Sequence, residues 1–254
     1  MDCGFQNKVV IVTGASAGIG EAIAHAFAEE GAKVICNSRS YSSILNTVDA
    51  INKNGGTAAP VCGDVSDPET ANKIAAETIA IYGRIDILVN NAGIVIPGTI
   101  YTLTLEDFEQ SFNTNVRSVF TLSKAVIPYM RKNPGGVIVN IASIAALKGT
   151  RNRLLYSASK GAVVSMTRSM ALDLAPENIR VNCICPGMTY SPSLAKRIAD
   201  TPDPKSTEAA FIAAVPVGRL GQPEDIASSV LFAASDRNSF MTGSVITVDG
   251  GKSL

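Results

Sequence analysis

The sequence is short of histidine and has no excess charge of either sign. His25 is the one histidine in 254 residues, and 22 Lys and Arg are balanced by 22 Asp and Glu. A chain without net charge sets up no global field to draw nucleic acid or an acidic membrane surface, so partners have to be recognised locally. Long apolar runs are also missing. No stretch of about 18 uncharged apolar residues is present, which excludes a membrane-spanning helix. The opening MDCGFQNK has no apolar core of a secretory leader, and the closing Lys-Ser-Leu is not the peroxisomal Ser-Lys-Leu. Cysteine is scarce and shows no framework spacing. Cys3, Cys36, Cys62, Cys183 and Cys185 are odd in number and lie mostly in apolar runs, the pattern of reduced core residues in a cytoplasmic protein. Cys183 and Cys185 form C-x-C without a second ligand pair, so no metal site is expected.

What the chain does have is alternation. Seven β-rich apolar runs, KVVIVT, AKVICNS, TAAPVCG, IDILVN, GGVIVNIAS, IRVNCIC and SVITVD, are separated by segments of helical length. Such a rhythm predicts an α/β fold, a doubly wound seven-stranded parallel sheet covered on both faces, with residues 1–254 as a single domain. One stretch departs from it. Thr189 to Val215, rich in Pro, Ser, Ala and Asp, is too long for an ordinary connection and reads as short helices forming a substrate lid.

After the first strand comes TGASAGIGEAIAHAFAEEG, with Gly14, Gly18 and Gly20 spaced G-x-x-x-G-x-G. Glycines let the backbone approach a pyrophosphate, and a following helix N-terminus offers free N–H groups and a positive dipole end. Placed between the first strand and first helix of an alternating chain, the turn reads as a dinucleotide site. At the end of the second strand an acidic residue would bind an adenosine ribose 2′-hydroxyl, whereas an arginine suits a 2′-phosphate. Here the segment is AKVICNSRS, without a carboxylate, and Ser38 and Arg39 favour the phosphate and hence NADP(H). Arg39 read by itself is also compatible with a solvated loop cation.

In YSASK, Tyr156 and Lys160 stand four residues apart on a helix expected over about 154–175, so the phenol and ammonium share one face. That spacing fits a proton-transfer dyad, and equally a half-buried tyrosine beside a solvated lysine. The remaining motifs decide between these readings. TGASAGIG, GDV at Gly63 to Val65, NNAG at Asn90 to Gly93, Ser143 ahead of YSASK, and Pro186-Gly187 resemble the short-chain dehydrogenase/reductase family in order and spacing along nearly the whole chain.

The resemblance implies a Rossmann-type fold and a catalytic tetrad of Asn115, Ser143, Tyr156 and Lys160. It implies that Gly14, Ser16, Gly18, Ile19, Gly20, Ser38, Arg39, Asp64, Val65, Asn91, Ala92, Gly93, Tyr156, Lys160, Pro186, Gly187 and Thr189 bind the dinucleotide. It also implies a homotetramer built through helices as apolar as SVFTLSKAVIPYM and the one carrying Tyr156. Reduction of a ketone needs a proton donor, and a phenol with an ordinary pKa near 10 is poorly matched to neutral pH. A neighbouring ammonium and the positive charge of oxidised nicotinamide would lower it, which is the role expected of Lys160. Ser143 would hold the substrate oxygen, and Asn115 a water joining Lys160 to solvent. Outside the resemblance, these two would be a strand-end cap and a polar helix residue.

Within the family, GTRNRLLYSASKGAV and NCICPGMTYSPSLAKRI resemble a subgroup of cytosolic 3-hydroxybutyrate and 2-keto-3-deoxy-sugar-acid dehydrogenases. The matching positions imply that Arg153 and Arg197, with Arg219 a weaker third, meet a substrate carboxylate. The small-molecule substrate would then be a hydroxy or keto acid. A general NADPH-dependent carbonyl or 3-oxoacyl reductase and a non-catalytic dinucleotide sensor remain alternatives. His25 reads as a partly exposed helix residue and Tyr190 as a loop tyrosine beside the lid.

Overall fold

A computed structural model describes residues 4–133 and 135–254; Cys3 lies outside them. The seven apolar runs form the seven strands: β1 Val9–Thr13, β2 Lys33–Ser38, β3 Thr57–Cys62, β4 Ile87–Asn90, β5 Val137–Ile141, β6 Arg180–Pro186 and β7 Val245–Val248. All neighbours pair in parallel, in the order β3-β2-β1-β4-β5-β6-β7. Every residue of β1, β4 and β5 is buried, as expected of central parallel strands covered on both faces.

Alternation of side chains sorts the core into two layers. Val10 and Val12 of β1 face a cluster with Ile23 and Phe27 of α1 (Gly18–Glu29), Ile44 of α2 (Tyr41–Lys53), and Val230 of a helix near the C-terminus. Ile11 faces the opposite way, with Ile74 of α3 (Pro68–Tyr82) and more distal helices. Those helices are α4 Leu105–Phe112, α5 Ser118–Met130 and α6 Leu154–Leu174; α7 Pro192–Ala199, α8 Pro204–Ala213 and α9 Pro223–Ala234 follow. Helix α9, which carries Val230, packs on α1.

The strand order reverses between β1 and β4, leaving a crevice beyond their carboxyl ends where open α/β sheets bind ligands. Two local departures from regular structure frame that crevice. The chain makes a π-helical turn at Asn113–Arg117 between α4 and α5. Residues 189–215 fold into α7 and α8, whose Leu194 and Ile198 join Leu220 in a small cluster of their own, with Phe211 and Ile212 against it. The short helices expected of this stretch are therefore present, organised separately from the sheet core.

Candidate active site

The β1–α1 turn is shaped by contacts rather than by flexibility. Gly14 has φ +63, and a Cβ there would stand 3.0 Å from Cα of Ala92. At Gly20 a Cβ would fall 2.2 Å from the Gly14 carbonyl oxygen and 2.4 Å from Nδ2 of Asn91, so the first turn of α1 can seat on the loop only with glycine. The N-cap of α1 is Ala17, whose side chain offers no acceptor to the first N–H groups of this helix. A close-approach cradle beneath an uncapped N-terminus fits a dinucleotide pyrophosphate. Ser16 and Ile19 lie in this turn, and Ile19 also packs against the core.

Thr13 ties the turn to the loop after β4. Its hydroxyl accepts from the backbone N–H of Asn91 and of Ala92, both at 3.0 Å, while Nδ2 of Asn91 donates to the Thr13 carbonyl at 2.8 Å. At the end of β2, Ser38 donates its hydroxyl to the Ser40 carbonyl at 2.9 Å and is buried; Arg39 is exposed and forms no ion pair among the described residues. Oδ1 of Asp64 accepts from the Ser66 N–H, Val65 is buried beside it, and Gly187, after Pro186, donates its N–H to the Val248 carbonyl. Thr189 pairs with Gly221 through an isolated bridge. These predicted cofactor residues line up along the carboxyl edge of the sheet.

Lys160 is not a solvated lysine. It is 4% exposed, donates its ammonium to the Ile141 carbonyl at 2.8 Å, and lies 6.0 Å from the ring centroid of Tyr156. Burial pushes its pKa down to about 8. Tyr156 is half-buried, and its pKa is raised, first by burial; the Ser143 hydroxyl and the charges of Arg153 and Arg197 pull the other way.

Ser143 caps the short 3-10 turn Ile144–Ala146, accepting from the Ala145 N–H at 3.1 Å, so it is a strand-end cap as well as a neighbour of the phenol. Asn115 sits fully buried in the π-helical turn. Its Oδ1 accepts from the Ile94 N–H at 2.8 Å, and Nδ2 donates to the Ile94 carbonyl and to Oγ of Ser159, both at 3.0 Å. A Cβ on Gly93 would stand 3.2 Å from both Asn115 Oδ1 and Lys160 Nζ, which makes that glycine a contact requirement.

Arg153 and Arg197 approach the same phenol from the end of α6 and from α7. Burial and then Arg153 lower the Arg197 pKa, while Tyr156 raises it. The Arg197 guanidinium stands 5.9 Å over the ring of Phe211, and neither arginine pairs with a carboxylate among the described residues. Arg219 is different. It grips Asp225 at the start of α9 with two bonds of 2.6 and 2.9 Å, so its fork is already committed. Tyr190 is exposed beside α7, and His25 lies half-buried on α1. Cys36, Cys183 and Cys185 are free and buried, whereas free Cys62 is only partly so. Among the described residues no group of three or more His, Cys, Asp or Glu could hold a metal ion.

Reading the sequence residue by residue missed Thr13, Ser159 and Phe211. The first two lie inside quoted motifs, TGASAGIG and YSASK, but their partners are 78 and 44 residues away and nothing local marks them.

A family model described as enoyl-(acyl carrier protein) reductase matches residues 14–253. An uncharacterised oxidoreductase of Thermotoga maritima is 46% identical over 97% of this chain and 98% of its own length. The 3-oxoacyl-[acyl-carrier-protein] reductase FabG of the same organism is 37% identical over 97% of this chain and 98% of its own. The solved structure of L-sorbose reductase from Gluconobacter frateurii, complexed with NADPH and L-sorbose, superposes with a TM-score of 0.96 at 32% identity, covering 99% of this chain and 98% of that one.

Proposed function

The chain belongs to the short-chain dehydrogenase/reductase family of oxidoreductases, and from that premise we propose that it interconverts a ketone and a secondary alcohol of a small hydroxy or keto acid, using NADP(H). A nicotinamide dinucleotide held along the carboxyl edge of the sheet would supply or accept the hydride. Tyr156 passes a proton to or from the substrate oxygen, and Ser143 holds that oxygen beside the phenol. Lys160 orients the dinucleotide and supplies positive charge beneath Tyr156; Asn115 positions the water that joins Lys160 to solvent. The other residues named for the dinucleotide keep the roles described for the sheet edge. Arg39 supports the choice of NADP(H), since its fork is exposed at the end of β2 with no acidic residue before it.

The observation that carries the substrate reading is the pair Arg153 and Arg197, two cations near one phenol that pair with no carboxylate among the described residues. Arg153 is half-buried and Arg197 exposed, and an anion between two guanidinium forks gains charge-assisted hydrogen bonds from both. A substrate carboxylate is that anion, and α7 with α8 then acts as the lid that brings Arg197 to it. Arg219, bound to Asp225, is left out of this role. A second reading has support from the relatives named a 3-oxoacyl reductase and an L-sorbose reductase: a general carbonyl reductase acting on neutral or acyl-carrier substrates. We place the protein in the cytoplasm as a homotetramer.

Acetoacetate and its methyl ester separate the two readings, because they differ in the carboxylate alone. With NADPH absorbance as the signal, Arg197→Ala is expected to lower kcat/KM for acetoacetate about tenfold or more and to spare the ester. Equal losses for acid and ester, or none for either, would return the protein to the general reductases.

A further inference from the structure

We propose that Ser159 is a positioning residue for proton transfer, the tie through which the loop after β4 fixes the catalytic turn of α6; this rests on Tyr156 being the proton donor. The hydrogen bonds around Ser159 can be assigned without ambiguity. Backbone N–H of Ile94 can only donate, so the Asn115 atom 2.8 Å from it is the amide oxygen. The other end of that amide is the donor, and it reaches both the Ile94 carbonyl and Oγ of Ser159 at 3.0 Å. Having accepted that bond, Ser159 spends its own proton on the Tyr156 carbonyl at 2.9 Å. The chain of bonds therefore runs in one direction, from Asn115 through Ser159 to the backbone of Tyr156.

Its two linking side chains are out of water. Ser159 and Asn115 are both fully buried, so a partner removed from one is not replaced by solvent. The tie joins three elements: the Gly93–Ile94 loop, the π-helical turn, and α6. Gly93 has Asn115 Oδ1 and Lys160 Nζ at the same 3.2 Å from its would-be Cβ, so Asn115 and the ammonium flank the same glycine. Ser159 follows Tyr156 by three residues and precedes Lys160, so it lies on the same side of α6 as the reactive pair, with its hydroxyl engaged by Asn115 and by the Tyr156 carbonyl. Its effect is exerted by holding the turn that carries both reactive groups in register with the cofactor loop.

Ser159→Ala keeps the helix and removes the tie. The chain has no tryptophan, so tyrosinate absorbance can be followed cleanly, and the difference between native protein and Tyr156→Phe isolates the Tyr156 titration. Loosening the turn admits water and relieves the burial that raises the phenol, so Ser159→Ala is expected to lower the Tyr156 pKa by about half a unit or more. Turnover with NADPH and acetoacetate, or methyl acetoacetate if the ester is the better substrate, should fall about tenfold, with NADPH affinity by fluorescence titration changed less than twofold. The loss should not add to that of Asn115→Ala, since both break one chain of bonds. An unchanged Tyr156 titration, additive losses, or turnover and NADPH affinity falling together would overturn the proposal. Should Ser159→Ala fail to fold, Ser159→Cys, with similar volume and a weak donor, is read the same way. Full activity in Tyr156→Phe would instead remove the underlying catalytic reading, leaving the two failures distinct.

Discussion

A buried lysine beside a half-buried tyrosine sets the protonation behaviour of this site. The pKa of Lys160 falls from 10.5 to about 8 on folding because its ammonium is desolvated. Between about pH 8 and 10.5 the unfolded chain therefore binds more protons than the folded one, and the Lys160 contribution to stability grows as pH rises through that window. Comparing native protein with Lys160→Met by chemical unfolding at pH 7 and pH 10 isolates it from the cysteines and tyrosines that titrate in both. The native protein is expected to gain relative to the variant by on the order of 1–3 kcal/mol over that interval. A constant difference would mean that Lys160 is solvated in solution. Arg39 offers the second residue-scale test. Arg39→Ala with Ser38→Asp exchanges the fork proposed for the 2′-phosphate for a carboxylate suited to a ribose hydroxyl, and kcat/KM should shift from favouring NADPH to favouring NADH. Unaltered protein that works better with NADH would remove the phosphate reading of Ser38 and Arg39.

At the scale of elements, the first turn of α1 and the loop after β4 behave as one unit, stapled by Thr13 and Asn91. Gly20 lies at their contact. Gly20→Ala would push a methyl group into the Gly14 carbonyl, a backbone atom that cannot rotate away. A loss of about 1–3 kcal/mol in stability is expected, together with weaker NADPH binding, read by thermal unfolding and by NADPH fluorescence. Unchanged binding would place the dinucleotide elsewhere. Helix α6 was fully legible from its apolar spacing and from the absence of proline before Pro176, and it ends at Leu174 as expected to within a residue. The π-helical turn at Asn113–Arg117 was not, because one extra residue in a turn leaves the apolar pattern of the flanking helices intact.

Over the whole molecule, large apolar side chains remain on the surface of the helices the sequence singled out for assembly. Phe120 on α5 and Leu172 on α6 are exposed, as are Tyr101, Leu105 and Phe108 around α4. Burying them against other copies of the chain would remove a considerable apolar area from water. Light scattering is expected to give the mass of a tetramer at micromolar concentration, and a stable monomer would contradict the assembly reading. The sequence by itself determined the sheet, the glycine turn after β1 and the shared face of Tyr156 and Lys160, because strand alternation, glycine spacing and helix periodicity are local consequences of backbone geometry. It also identified Arg153 and Arg197, although their approach to one phenol became visible only in the fold. Tertiary structure alone decided that Lys160 is buried, that Arg219 is taken by Asp225, and that Asn115 reaches Tyr156 through Ser159. Solvation and hydrogen-bond partners depend on which distant segments pack together, and no spacing along the chain encodes that.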